Sequence, residues 1–265
     1  MKPRISIRLF DRLAVHCGDR ELRLPPSRDA QEILCYLIVN RRASVPRETL
    51  AGLISSSSRT KRSKRALRQA LWRLRDSLRM GACSFADRVL RPGSGWVQFV
   101  SDPEVWVDVD EFERASAHRK PALLPEDLDR LAKAVDLYRG DLLQSSYQQW
   151  CLDERERLRQ IYLNSLDSLV VHCEASGDLE GGMTYANRAL RADPTSERAY
   201  RALMRLYLAL GDRTSAMRCY ERCVRTLHDE LGVEPDSETR KLENVIRSGN
   251  CARRSIGGQG PRGSP

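Results

Sequence analysis

The chain has 265 residues, enough to bury about two domain cores, and its formal charge of +9 is unevenly placed. Residues 1–100 carry 21 Lys and Arg against 8 Asp and Glu, whereas residues 101–250 carry 21 against 28, so the first portion suits a polyanion and the second does not. No run approaches the roughly 20 apolar residues that span a bilayer, and Met1-Lys2-Pro3-Arg4 leads into an alternating pattern instead of an apolar signal core; a soluble, cytoplasmic protein with no membrane partner is expected.

In chain order, Arg4–Phe10 alternates polar and apolar residues as a half-buried strand does. Ala14–His16 and Glu21–Leu24 predict two more short strands around the turn-forming Gly18-Asp19, giving a small antiparallel sheet. After Pro25-Pro26-Ser27, the spacing of Ile33, Leu34, Leu37 and Ile38 predicts a helix. A second helix is expected over Pro46–Ile54, with Pro46 in its first turn.

From Lys61 to Met80, Leu67, Ala70, Leu71, Leu74 and Leu78 form one apolar stripe. Lys61, Arg65, Arg68, Gln69, Trp72, Arg75 and Arg79 project from the other side at 100° per residue. Arg88–Arg91 and Trp96–Val100 then predict two strands joined by Pro92-Gly93-Ser94-Gly95. A bare solvated basic helix is the plainer alternative to a nucleic-acid-binding one; the charge split between the two portions favours binding.

Acidic helical sequence follows Val105–Glu113. Gly177-Asp178 and Gly211-Asp212 lie one tetratricopeptide period apart, and Met183/Met217, Arg188/Arg222 and Ala189/Cys223 keep the same register. Helical hairpins are expected to stack there, with a pair over roughly 108–139 as a third unit. The Gly-, Arg-, Ser- and Pro-rich tail, 249–265, is expected to be disordered.

The composition leaves little room for an enzyme. There is no GxxxxGK[ST] loop and no HExxH, and the Asp153–Arg159 run of alternating charge predicts a solvated helix face. The eight cysteines lack close CxxC pairs and are expected to be reduced. Cys219, Cys223 and His228 fit no common zinc spacing, so no metal and no cofactor is expected.

The strands, three helices with a basic third, and closing hairpin over residues 4–100 resemble an OmpR/PhoB-type winged helix. Tyr138–Leu143, Trp150–Arg159, Arg201–Tyr207 with Gly211-Asp212-Arg213, and Glu230–Pro235 resemble the bacterial transcriptional activator domain. In that order the chain resembles the Streptomyces antibiotic regulatory protein family over about residues 4–247. The expected fold is an α+β winged helix (1–103) followed by an all-α tetratricopeptide-like domain (104–248).

The resemblance implies a transcriptional activator of an antibiotic or other secondary-metabolite cluster. It would bind direct repeats in double-stranded promoter DNA, self-associate as protomers on tandem sites and recruit RNA polymerase. It places the third helix in the major groove, with base contacts near Ala66, Gln69 and Arg73. Gln69 suits an adenine edge and Arg73 the fork of guanine; Arg65, Arg68 and Arg75 suit phosphates, and Lys61, Arg62 and Lys64 are further DNA-binding candidates. Trp72 either packs on sugar or a thymine methyl or covers the helix flank. Arg88 and Arg91 on the hairpin strands are expected to reach a narrow minor groove, and Ser94 at the turn is a further DNA-binding candidate. The alternative is an adaptor whose repeats bind protein while its basic residues hold nucleic acid non-specifically. Footprints that survive excess competitor DNA separate the two. A fragment spanning 1–105 is expected to bind DNA without activating transcription.

Overall fold

The computed structural model describes residues 5–54, 61–79, 86–117 and 125–248. The expected tail at 249–265, the serine run at 55–58 and Met80 lie outside them. The chain forms two compact units, Met1–Tyr162 and Leu163–Pro265.

The first unit opens with β1 (Ile5–Arg8), β2 (Ala14–Cys17) and β3 (Arg20–Glu21). Ile5 and Ile7 point into the core while Arg8 is exposed, as the alternation predicts. β1 pairs antiparallel with β2, Ile7 facing Val15. The third strand is shorter than the expected Glu21–Leu24, although Leu22 still donates its N–H to Val15.

Helix α1 (Arg28–Val39) buries Ile33, Leu34, Leu37 and Ile38, the spacing read from the sequence. A short strand β4 (Val45–Pro46) precedes α2 (Arg47–Ile54). Pro46 is therefore in a strand opposite Trp96 and not in the first helical turn, which corrects the expected start of α2. An edge strand tolerates proline because its missing N–H need not enter the ladder.

Helix α3 (Lys61–Arg79) packs on α1 and α2 through Leu67, Ala70, Leu74 and Leu78. The chain then runs through α4 (Ala86–Val89), β5 (Leu90–Pro92) and β6 (Trp96–Phe99). The second sheet has the order β4-β6-β5, all antiparallel, with Leu90 opposite Phe99.

Next come β7 (Val105–Val107) and α5 (Asp108–Ser116). β7 returns to the first sheet and lies parallel to β1, giving the order β3-β2-β1-β7. The buried carboxylate of Asp108 accepts N–H groups of Leu9 (2.8 and 3.0 Å), Phe10 (3.0 Å) and Val109 (2.7 Å). It thus satisfies backbone donors where β1 ends. Burial outweighs these bonds and pushes its pKa up to about 6.

Helix α6 (Pro125–Val135) packs on α5. The segment after it returns to the start of the chain, where Leu143 donates to Leu9 and Asp11 to Asp141, each at 2.9 Å. Phe10, Phe112, Tyr138 and Tyr162 form an aromatic cluster, the last two stacked with centroids 4.2 Å apart. The nearly buried Arg41 pairs with Asp110 at 2.8 Å and with Glu113, which also holds Arg157. The boundary expected at 103/104 therefore lies inside the first compact unit, which extends to Tyr162.

Helix α7 (Gln149–Ser176) contains the division between the units. The second unit continues with α8 (Leu179–Ala192), α9 (Glu197–Ala209), α10 (Arg213–Leu231) and α11 (Ser237–Ser248). Both repeated Gly-Asp pairs do the same job. Gly177 and Gly211 adopt φ of +80° and +78°, and Asp178 and Asp212 cap α8 and α10 by accepting from Gly181 and Ser215. Gly182 and Ala216, also one period apart, are buried. A methyl group at Gly182 would come within 3.1 Å of Leu206 and 3.3 Å of Cys173, so its smallness lets the helices approach.

Cys35, Cys151, Cys173, Cys219 and Cys223 are free and buried. Burial pushes the thiols of Cys219 and Cys223 up to about 11 and about 12, while His228 is exposed. Cys17 departs from the expected reduced state, being disulfide-bonded. No described helix is long and apolar enough to cross a membrane.

Candidate nucleic-acid interface

The basic residues of α3 fall in two rows on its solvent side. Lys61, Arg65, Arg68, Trp72 and Arg79 are exposed and Arg75 half-buried, at successive steps of three and four. Arg62, Gln69 and Arg73 are exposed and Ala66 half-buried in a second row, about 100° around the axis from the first. Lys64 is also exposed. Ser63 joins the buried stripe, while Leu71 is only half-buried because it lies towards the hairpin.

The first row borders a cleft of about 240 Å³ between α3 and the β5–β6 hairpin. Arg68, Trp72, Arg75 and Arg79 line one wall, Leu90, Pro92 and Val97 the other. Trp72 is 65% exposed and flanks this cleft. Arg47, from the first turn of α2, lines it too. Sequence reasoning missed Arg47; its placement depends on the bond from its N–H to the Gly95 carbonyl at 2.9 Å, a contact across the hairpin with no local signal.

Among the described residues, the ion pair on α3 is that of Arg79 with Asp87, at 2.8 Å. Arg65, Arg68, Arg73 and Arg75 carry no such partner there. Cations left without internal carboxylates remain available to an external anion. The hairpin tip is held by the Gly93 N–H donating to the Trp96 carbonyl at 2.9 Å. A side chain at Gly93 would collide with the Trp96 ring, which is 2.1 Å from an ideal Cβ. Ser94 and Arg91 are exposed on this hairpin.

Arg88 requires a correction. It lies in α4 instead of a hairpin strand, donating to Asp102 at 2.7 and 2.9 Å and to Glu104 at 2.6 Å. Val89 and Leu90 are buried in succession, as in a helix-to-strand passage, so the alternation expected of a strand is absent at this point. With its guanidinium committed to two carboxylates, Arg88 ties α4 to the segment before β7.

The geometry is that of a basic helix flanked by a hairpin, ahead of paired helices. The sequence model of the bacterial transcriptional activator domain matches residues 107–247. The chain belongs to that family, and its resemblance to the Streptomyces antibiotic regulatory proteins holds. Regulatory protein DnrI of Streptomyces peucetius is 28% identical over 166 residues, which span 61% of each chain. Among solved structures, Mycobacterium tuberculosis EmbR, in complex with a low-affinity phosphopeptide, superposes with a TM-score of 0.75 at 17% identity. That likeness covers 94% of this chain and 66% of EmbR, and it concerns the fold.

Proposed function

We propose that the protein activates transcription by binding specific promoter sequences through α3 and recruiting RNA polymerase. The observation that carries this reading is the row of unpaired arginines on α3 beside the hairpin cleft. Duplex DNA presents about one negative charge per 1.7 Å, so such a row gains affinity by releasing counterions. Arg65, Arg68 and Arg75, with Lys61, Arg62 and Lys64, hold phosphates and set the register. The second row, Ala66, Gln69 and Arg73, meets base edges, and Trp72 packs on sugar or a thymine methyl. Arg91 and Ser94 bring the hairpin to the neighbouring minor groove or backbone.

The family membership supports an activator rather than an adaptor. The operator is a tandem direct repeat occupied by neighbouring protomers, which gain effective concentration from mutual contact. The controlled genes form a secondary-metabolite cluster, and the protein acts in the cytoplasm at the nucleoid. No catalytic step and no cofactor enter this reading. Footprinting of the full chain on genomic promoter DNA under excess competitor is the test. Protected direct repeats that persist with competitor are expected. Protection that vanishes uniformly as salt rises would replace the activator with an adaptor of general nucleic-acid affinity.

A further inference from the structure

The second unit holds a cleft unrelated to α3. It has a volume of about 510 Å³ and is open, lined by Thr184, Asn187, Leu190 and Arg191 of α8, Pro194, Tyr200 of α9 and Arg222 of α10. This volume falls in the ~300–1,000 Å³ range of ligand sites.

Two arginines at this cleft are not engaged by carboxylates, whereas several others of the unit are. Arg198, Arg201, Arg205 and Arg247 are each paired, with Asp167, Asp236, Glu174 and Glu243. Among the described residues, Arg191 and Arg222 have no carboxylate within ion-pair distance. Arg218 and Arg225 stand in the same condition one turn to either side of Arg222 on the exposed face of α10. The Arg222 guanidinium lies 5.3 Å from the centre of the Tyr200 ring, whose hydroxyl is 3.2 Å from Thr226 Oγ1. A fixed ring under a fork of N–H donors presents the cation at reduced entropic cost.

We infer that this cleft binds an acidic peptide segment, its carboxylates meeting Arg191 and Arg222 and an apolar side chain resting on Leu190 and Pro194. A short segment fits better than a nucleic acid. Residues 163–248 hold 14 Asp and Glu against 12 Lys and Arg, so no net positive field extends beyond the local arginines for a long polyanion to follow, whereas those arginines suit a few carboxylates. The apolar wall also has no use for a phosphate backbone.

The test measures fluorescence anisotropy of a labelled peptide alternating Glu and Leu, and of its Gln and Leu counterpart, with the full chain. The acidic peptide binds and the amide peptide does not. R191Q combined with R222Q weakens binding by about tenfold or more, the loss expected for one charge-assisted hydrogen bond; R222Q alone weakens it less. R68A leaves peptide binding intact, and the R191Q/R222Q chain keeps its DNA affinity, so this site and the DNA reading fail separately. Equal binding of both peptides, no loss in R191Q/R222Q with an unchanged far-ultraviolet spectrum, or loss only in R68A overturns the proposal. Displacement of the peptide from the R68A chain by duplex DNA, lost in turn on R191Q/R222Q, would assign the cleft to nucleic acid instead.

Discussion

The indole N–H of Trp150 donates to the carboxylate of Glu32 at 2.8 Å, joining residues 118 positions apart. Trp150 also meets the Tyr36 ring edge-on, with centroids 5.1 Å apart. The first turn of α7 is thereby fastened to α1, the helix on which α3 packs. Burial raises the pKa of Glu32, and the Trp150 bond opposes that rise. W150F and E32A, with the double variant, should show a coupling of about 1.5–3 kcal/mol in denaturant unfolding, the range for a hydrogen bond to a charged group. Additive losses would mean that the bond contributes nothing.

R68A and R65A should lower DNA affinity for every sequence, and each should reduce the salt slope by about one counterion. Q69A should relax preference at one base pair at a cost of about 1–3 kcal/mol. Titrations on matched and mismatched operators at several salt concentrations distinguish these outcomes. If neither R68A nor Q69A changes binding, α3 is not the recognition element.

R88A should leave the salt slope and base preference of the full chain unchanged, because Arg88 is committed to Asp102 and Glu104. Its effect should be a small loss of stability, since exposed ion pairs contribute little. A salt slope reduced as much as in R68A would return Arg88 to the interface.

Asp108 should make stability depend on pH. Its folded pKa, about 6, lies above the ordinary aspartate value of 3.8, so folding takes up a proton between these values. This contribution is fully present below pH ~4 and is lost as pH rises through ~6. D108N cannot titrate, and its oxygen replaces only part of a carboxylate that accepts from Leu9, Phe10 and Val109. The stability of the natural chain relative to D108N should therefore grow by up to about 3 kcal/mol between pH 7 and pH 4. A constant difference in urea unfolding over that range would show that Asp108 does not titrate as described.

A fragment ending at residue 105 should be less stable than one ending at 162. The shorter fragment lacks most of β7, the Asp108 carboxylate and the Glu113 that pairs with Arg41. Loss of a partner for a buried cation alone costs about 3–5 kcal/mol. Thermal unfolding of the two fragments checks this; equal midpoints would show that residues after 105 are dispensable to the sheet.

Much of the candidate interface was legible because α3 is encoded locally. Leu67, Ala70, Leu74 and Leu78 recur at helical spacing, and the opposite face follows from geometry. The Gly-Asp punctuation was legible for the same reason: a positive φ and a side-chain cap are properties of adjacent residues. Three features were not. The parallel β1–β7 pairing, the Asp108 bonds to Leu9 and the Arg41–Glu113–Arg157 chain join distant residues, and no periodicity marks them. Arg88 was misplaced because a helical turn leading into a short strand leaves too few residues to display either period. Arg191 and Arg222 lie on different helices and line one cleft, a juxtaposition that no local pattern marks.

The reach from Leu9 to Asp108, 99 residues along the chain, constrains how the protein is made. The ribosome delivers about 5–20 residues per second, so β1 emerges several seconds before the strand and carboxylate that complete it. During that interval β1, β2 and the two-residue β3 present an open β1 edge, a template for pairing with other nascent chains. Folding of the amino-terminal sheet is thus deferred to the arrival of β7 and α5, and slow synthesis through residues 10–107 prolongs the exposure.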